Sequence, residues 1–144
     1  MKAPHVPAMP ARLFLYGSLL TGDGDRNLHR RLNRLIRGAI PAVIQARLYD
    51  LGAYPGAVAS KSRRDRVYGL LITLDDPRLL HQIDRYEDYF HHDLEGSEFM
   101  RVRVRAQRRG SRRPIRCWVY LYNGDVSDKP RIPGGDYLKF RVSN

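Results

Sequence analysis

Cysteine is almost missing from this chain: Cys117 stands alone among 144 residues, so no disulfide can form within it. A lone thiol fits a reducing compartment, and a cytoplasmic location is the expectation. No apolar run approaches the ~18 residues of a membrane span, so the sequence predicts no transmembrane helix. The opening MKAPHVPAMPA has one lysine and no apolar core and does not read as a signal peptide. Residues 1–11 read as a flexible, Pro-broken lead-in, and 12–144 as a single domain with no repeat and no linker. Acid is also scarce. Asp and Glu total 15 against 26 Lys and Arg, and only Glu87, Glu95 and Glu98 are glutamates.

What is present is a globular composition, 42% hydrophobic with 28% charged residues, and a net charge of +11. The charge falls in clusters: Arg30, Arg31, Arg34 and Arg37; Arg63, Arg64 and Arg66; and a dense set from Arg101 to Arg116. A basic balance draws polyanions. No nucleic-acid-binding signature accompanies it, so the clusters read as a solvated basic surface and specific nucleic-acid binding is not expected.

Arg12–Tyr16 reads as a short buried strand entering a Gly17-Ser18 turn, with TGDGD after it as loop. Leu28, Leu32, Leu35, Ile36 and Ala39 recur at helical spacing, with Asp25 or Asn27 as cap. AVIQARLYDL reads as a strand closed by the turn-rich GAYPG. SKSRRD is a polar connection and VYGLLITL the next strand. Asp76-Pro77 starts a helix running to about Tyr89. FMRVRVRAQ alternates, with Met100, Val102, Val104 and Ala106 on one face and arginines on the other. It pairs as a hairpin with IRCWVYLYN, where Ile115, Cys117, Val119 and Leu121 face in. Trp118, Tyr120 and Tyr122 then cover a second layer or line a pocket. KPRIPGGDYLKF reads as loop with a short final element. Hairpins without regular crossover helices predict an α+β fold, a small mixed β-barrel with a few flanking helices.

In the helix starting at Pro77, Leu79, Leu80, Ile83, Tyr86 and Phe90 share one face, and Glu87 falls within it. Asp84 and Asp88 fall near or beyond its edge, and Arg78, His81 and Arg85 lie opposite. A carboxylate in an apolar stripe is costly unless paired, and its pKa rises. Such a group suits general acid/base work near neutral pH; an ion pair with one of the arginines accounts for the same placement. The pattern leaves both open. Elsewhere, GDG at 22–24 lacks P-loop spacing, His91-His92 has no partner pair at ligand spacing, and Ser18 lacks the second glycine of a nucleophile elbow. Cys117, on an inward strand face, reads as an inert packed thiol.

Taken together these segments resemble the gamma-glutamylcyclotransferase-like family, which includes gamma-glutamylamine cyclotransferases and AIG2-like proteins. The resemblance runs from about Leu13 to Tyr137. It rests on LFLYGSLL, ARLYDLGAYPGAV, VYGLLITL, LLHQIDRYEDY, EGSEFMRVRV and CWVYLYN, six segments in order at compatible spacing. The resemblance implies that Tyr16, Gly17, Ser18 and Leu19 cradle a gamma-glutamyl or 5-oxoproline moiety. It implies Glu87 as the acid/base, with Tyr54 and Tyr122 as further substrate-binding residues. The implied reaction is intramolecular attack of an alpha-amine on its own gamma-carbonyl, releasing 5-oxoproline and an amine, with no cofactor or metal. Two departures stand out. Asp88 follows Glu87 where the family has Gly, and Glu95-Gly96 offers a rival alignment. Arginines near the mouth would favour an acidic leaving group. A non-catalytic small-ligand or scaffold module of the same fold, and polyanion binding through the arginines, are the alternatives.

Overall fold

The computed structural model describes residues 6–143; residues 1–5, the start of the segment read from the sequence as a lead-in, and residue 144 lie outside the described residues. The strands are β1 (Ala11–Leu15), β2 (Ile40–Asp50), β3 (Pro55–Ala59), β4 (Arg66–Leu74), β5 (Phe99–Arg108) and β6 (Pro114–Tyr122). The helices are α1 (Ser18–Thr21), α2 (Arg26–Arg37), α3 (Pro77–Tyr86) and α4 (Tyr137–Ser143), with a 3₁₀ turn at Pro133–Gly135. Strand order β2-β4-β1-β6-β5 closes on itself where Ala42, Val43 and Ile44 pair with Arg108, Gln107 and Ala106. The result is a five-stranded mixed barrel, antiparallel except at the β1–β6 seam, where Leu13 opposes Trp118.

The period-two alternation explains the two layers of core. Phe14, Ile44, Val67, Leu71, Cys117 and Val119 fill the barrel. Their neighbours Leu13, Leu15, Ile72, Leu74 and Tyr120 point outward and are covered by Leu28 and Leu32 of α2 and Leu80 and Ile83 of α3. β4 can lie close on β1 because Gly69 stands opposite the strand end; a Cβ there would sit 2.2 Å from the Leu15 carbonyl oxygen. The C-terminal segment straps β2: the Ile132 N–H donates to the Leu48 carbonyl at 2.9 Å, and Ile132 is fully buried.

Several local expectations are corrected. Pro55 and Gly56, read as turn, instead open a strand, Pro55–Ala59, that pairs the second half of β2 at an edge position that accommodates them. Ser18–Thr21 is a single helical turn ended by Gly22 in the left-handed region (φ 76°). Third, α3 stops at Tyr86 rather than Tyr89. Asp88 takes φ 53°; its N–H donates to the Arg85 carbonyl, and that of Tyr89 to the Asp84 carbonyl. That is a Schellman closure with aspartate at the position glycine favours. Fourth, Arg101, placed on a solvated face, is buried, as is Asp84, placed near the edge of the apolar stripe. Ala11 already belongs to β1, so the lead-in ends one residue early. Asp25, rather than Asn27, caps α2, accepting from the Leu28 N–H at 3.0 Å.

Candidate functional site

β1, the loop before β3, the end of α3, the start of β5 and the end of β6 meet at one rim of the barrel. There a narrow hollow of ≈ 30 Å³ is walled by Tyr16, Gly17, Ser18, Leu19, Tyr54, Pro55 and Glu87, with Phe99 and Tyr120 behind them. At that size it holds about one or two waters. Six of the seven residues singled out in the sequence therefore line one cavity. The seventh, Tyr122, stands behind the wall, its ring edge-on to Phe99 at 5.6 Å.

Gly17 ends the strand and starts the α1 turn. A Cβ on it would sit 2.9 Å from Cγ of Pro55, so only glycine lets the two walls approach. The N–H groups of Ser18 and Leu19 belong to the first turn of α1 and have no acceptor within the helix. The Ser18 hydroxyl shares a 2.6 Å hydrogen bond with the Tyr86 hydroxyl. The Tyr16 hydroxyl is fully committed: it donates to the Tyr120 carbonyl at 2.8 Å and accepts from the Ala57 N–H at 3.0 Å. It thereby pins β3 across the barrel mouth, and burial raises its pKa far above the phenol value. The Tyr54 hydroxyl donates to the Glu98 carboxylate.

The carboxylates near the rim divide into two kinds. Asp84 is paired: Arg101 Nε donates to it at 2.9 Å and the Tyr120 hydroxyl at 2.5 Å. Burial raises the Asp84 pKa, while Tyr120 and Arg101 pull it down. The Arg101 guanidinium also lies 4.9 Å from the Trp118 ring centroid. Glu87 is different. Among the described residues nothing donates a hydrogen bond or ion pair to its carboxylate, and the arginine that reaches this region is taken by Asp84. Burial, and then the negative charges of Glu98, Asp88 and Asp84, push the Glu87 pKa up to about 8. The rival Glu95 is exposed on a loop and away from the hollow.

No arginine lines the hollow, so the expected basic mouth is not there. Sequence reasoning overlooked Glu98 and Phe99. The available signal was their place at the first residues of β5, whose start the hairpin carries to this rim. Cys117 is buried with its pKa raised to about 11, an unreactive thiol. Among the described residues no helix is long and apolar enough to cross a membrane.

The class so defined is a closed five-stranded mixed barrel with an acid, unpaired among the described residues, at a rim hollow beside the first turn of α1. The model of the family gamma-glutamyl cyclotransferase, AIG2-like, matches residues 13–139, and the chain belongs to that family. It is 31% identical over 127 residues to gamma-glutamylcyclotransferase family protein ytfP of Citrobacter rodentium (strain ICC168), spanning 88% of this chain and 95% of that one. The solution structure of ytfP from Escherichia coli is 26% identical, with TM-score 0.55 over 88% of this chain and 96% of its own. The crystal structure of an AIG2-like protein from Mus musculus shares the fold at 16% identity, with TM-score 0.55 and 87% of each chain covered.

Proposed function

We propose that this protein is a gamma-glutamyl cyclotransferase-type enzyme releasing 5-oxoproline and an amine from a gamma-glutamyl amine or peptide. Family membership supports the reaction class, and one observation carries the reading: an unpaired carboxyl with its pKa near 8 faces the hollow beside free N–H donors. In this scheme the carboxylate of Glu87 takes a proton from the substrate's alpha-ammonium. The freed amine nitrogen bonds to the gamma-carbonyl carbon of the same molecule. The carbonyl oxygen becomes an oxyanion, held by the N–H groups of Ser18 and Leu19. Collapse breaks the bond to the leaving nitrogen, which receives the proton held by Glu87. The regenerated carboxylate then takes the second proton from the ring nitrogen and passes it to the departing amine, which leaves as an ammonium. Proton and electron pair balance with the chain's own groups.

Both reacting groups belong to one molecule, so the protein's main task is to hold a folded conformer. The hollow is smaller than a gamma-glutamyl group, so loading requires a wall to move. Tyr54 is that wall, held at its tip by Glu98. Glu98, Asp88 and Asp84 make the surroundings negative, which suits the substrate's ammonium. Tyr16 acts through architecture, fixing β3. A cytoplasmic setting fits the thiol. A non-catalytic module using the same hollow is the second reading.

The deciding experiment is 5-oxoproline release from a panel of gamma-glutamyl compounds by wild type and Glu87→Gln. The variant should keep its fold and lose about 10²–10⁴-fold in rate. The wild-type rate should rise with pH to a plateau above about 8, as the base loses its proton. Equal turnover by Glu87→Gln would remove the acid/base assignment. Stabilisation by 5-oxoproline with no turnover by wild type would establish the binding module.

A further inference from the structure

A second concavity, ≈ 540 Å³, opens at the opposite end of the β5–β6 hairpin from the rim hollow. Phe99 pairs with Tyr122 at the hollow end and Gln107 with Pro114 at the other, about 27 Å apart by strand rise. Its floor has an apolar part, Val43 and Pro114, flanked by Gln45 and Gln107. Its walls carry Arg63 from the β3–β4 connection, Arg66 from the start of β4, Arg105 from β5 and Arg112 from the hairpin turn. These arginines are far apart in sequence and meet because β2 pairs with both β4 and β5. All four are exposed, and among the described residues none forms an ion pair with an acid.

The lining holds one acid, Asp65, already bonded to the Ser60 hydroxyl at 2.5 Å and to Arg131 at 3.2 Å. Beyond the walls, exposed Arg64, Arg108, Arg109 and Arg113 continue the positive surface. Of the chain's 26 basic residues 22 are arginines, whose planar fork matches phosphate oxygens two at a time. A single small anion needs fewer cations than this surface presents; a charged strand running through the cleft engages them all.

We infer that this arginine cleft binds the phosphodiester backbone of single-stranded nucleic acid without reading its sequence, independently of the rim hollow. Arg63, Arg66, Arg105 and Arg112 contact successive phosphates, and the apolar part of the floor takes sugar or base. No aromatic ring lines the cleft, so backbone charge rather than stacking carries the affinity.

The test is fluorescence anisotropy with a labelled, mixed-sequence single-stranded RNA of ~16 nucleotides. It is read from about 50 to about 200 mM KCl. The cleft variant replaces Arg63, Arg66, Arg105 and Arg112 with Gln. The control replaces Arg26, Arg30, Arg34 and Arg37 of α2 with Gln, removing equal charge elsewhere. Wild type should bind with a steep salt dependence. The cleft variant should lose at least about tenfold and flatten the log–log slope by about 3, while the control changes less than about threefold. If the fourfold variant melts early, the loop pair Arg63→Gln/Arg112→Gln should still lose more than the control. Equal losses in both variants, or no RNA binding by wild type, overturn the inference. So does binding only to phosphatidylserine vesicles, or displacement of the RNA by tripolyphosphate at equal phosphate concentration, which would make it a small-anion site.

Discussion

At the scale of single residues, two acids three positions apart have opposite surroundings. Asp84 is buried against Arg101 and Tyr120, whereas Glu87 meets no cation among the described residues. Breaking a buried pair leaves an uncompensated charge, so Arg101→Ala should cost about 3–5 kcal/mol. Arg101→Ala/Asp84→Ala should cost less than the single change. Urea unfolding of the two variants checks both statements. The Glu87 carboxyl makes the converse prediction. Its folded-state pKa, about 8, lies above its unfolded value, so folding holds its proton more tightly. The stability this supplies is complete below the unfolded pKa and is lost as pH rises through 8. Glu87→Gln should therefore match wild type in melting temperature near pH 4.5 and exceed it at pH 9, pH values that bracket the shift. A constant difference across that range would show that the carboxyl titrates normally.

At the scale of elements, the end of α3 sets the site. The helix ends at Tyr86, the left-handed residue at 88 turns the chain away, and Glu87 is left as the cap, against the rim. Aspartate tolerates φ 53° better than most residues, but glycine has no Cβ to strain. Asp88→Gly should raise stability by about 0.5–1 kcal/mol, a few degrees in melting temperature. It also removes one charge that lifts the Glu87 pKa, so the midpoint of the rate–pH curve should move to lower pH. Thermal melts and a pH–rate profile of one variant measure both effects.

For the whole molecule, the barrel depends on seams of unequal length. The β5–β6 hairpin runs nine residue pairs, whereas β2 meets β5 over three, next to the arginine-lined cleft. Short solvent-edged pairings open first. Those amides of 42–44 and 106–108 that donate across the β2–β5 seam should exchange with deuterium at least about tenfold faster than those at the centre of the hairpin, near Val102 and Val119. Uniform protection across both seams would mean that the barrel opens only as a unit.

Much of this protein could be read from local pattern. The alternation of β5 and β6, the Asp76-Pro77 start of α3, the spacing of Leu28 and Leu32, and the Tyr-Gly-Ser-Leu turn are short-range signals, because side-chain period and capping chemistry act within a few residues. The sequence thus determined the element types, the α+β barrel class and the identity of the acid lining the hollow. Only tertiary structure decided which arginine was spent. Arg101 looks like its alternating neighbours Arg103 and Arg105, yet it is buried because α3 packs over its end of the strand and presents Asp84. β3 was invisible because its pairing partner, not its Pro-Gly composition, makes it a strand. Likewise the charges at 63–66 and 105–112 became one cleft only when β2 joined two distant strands, a non-local pairing with no trace in nearest-neighbour spacing.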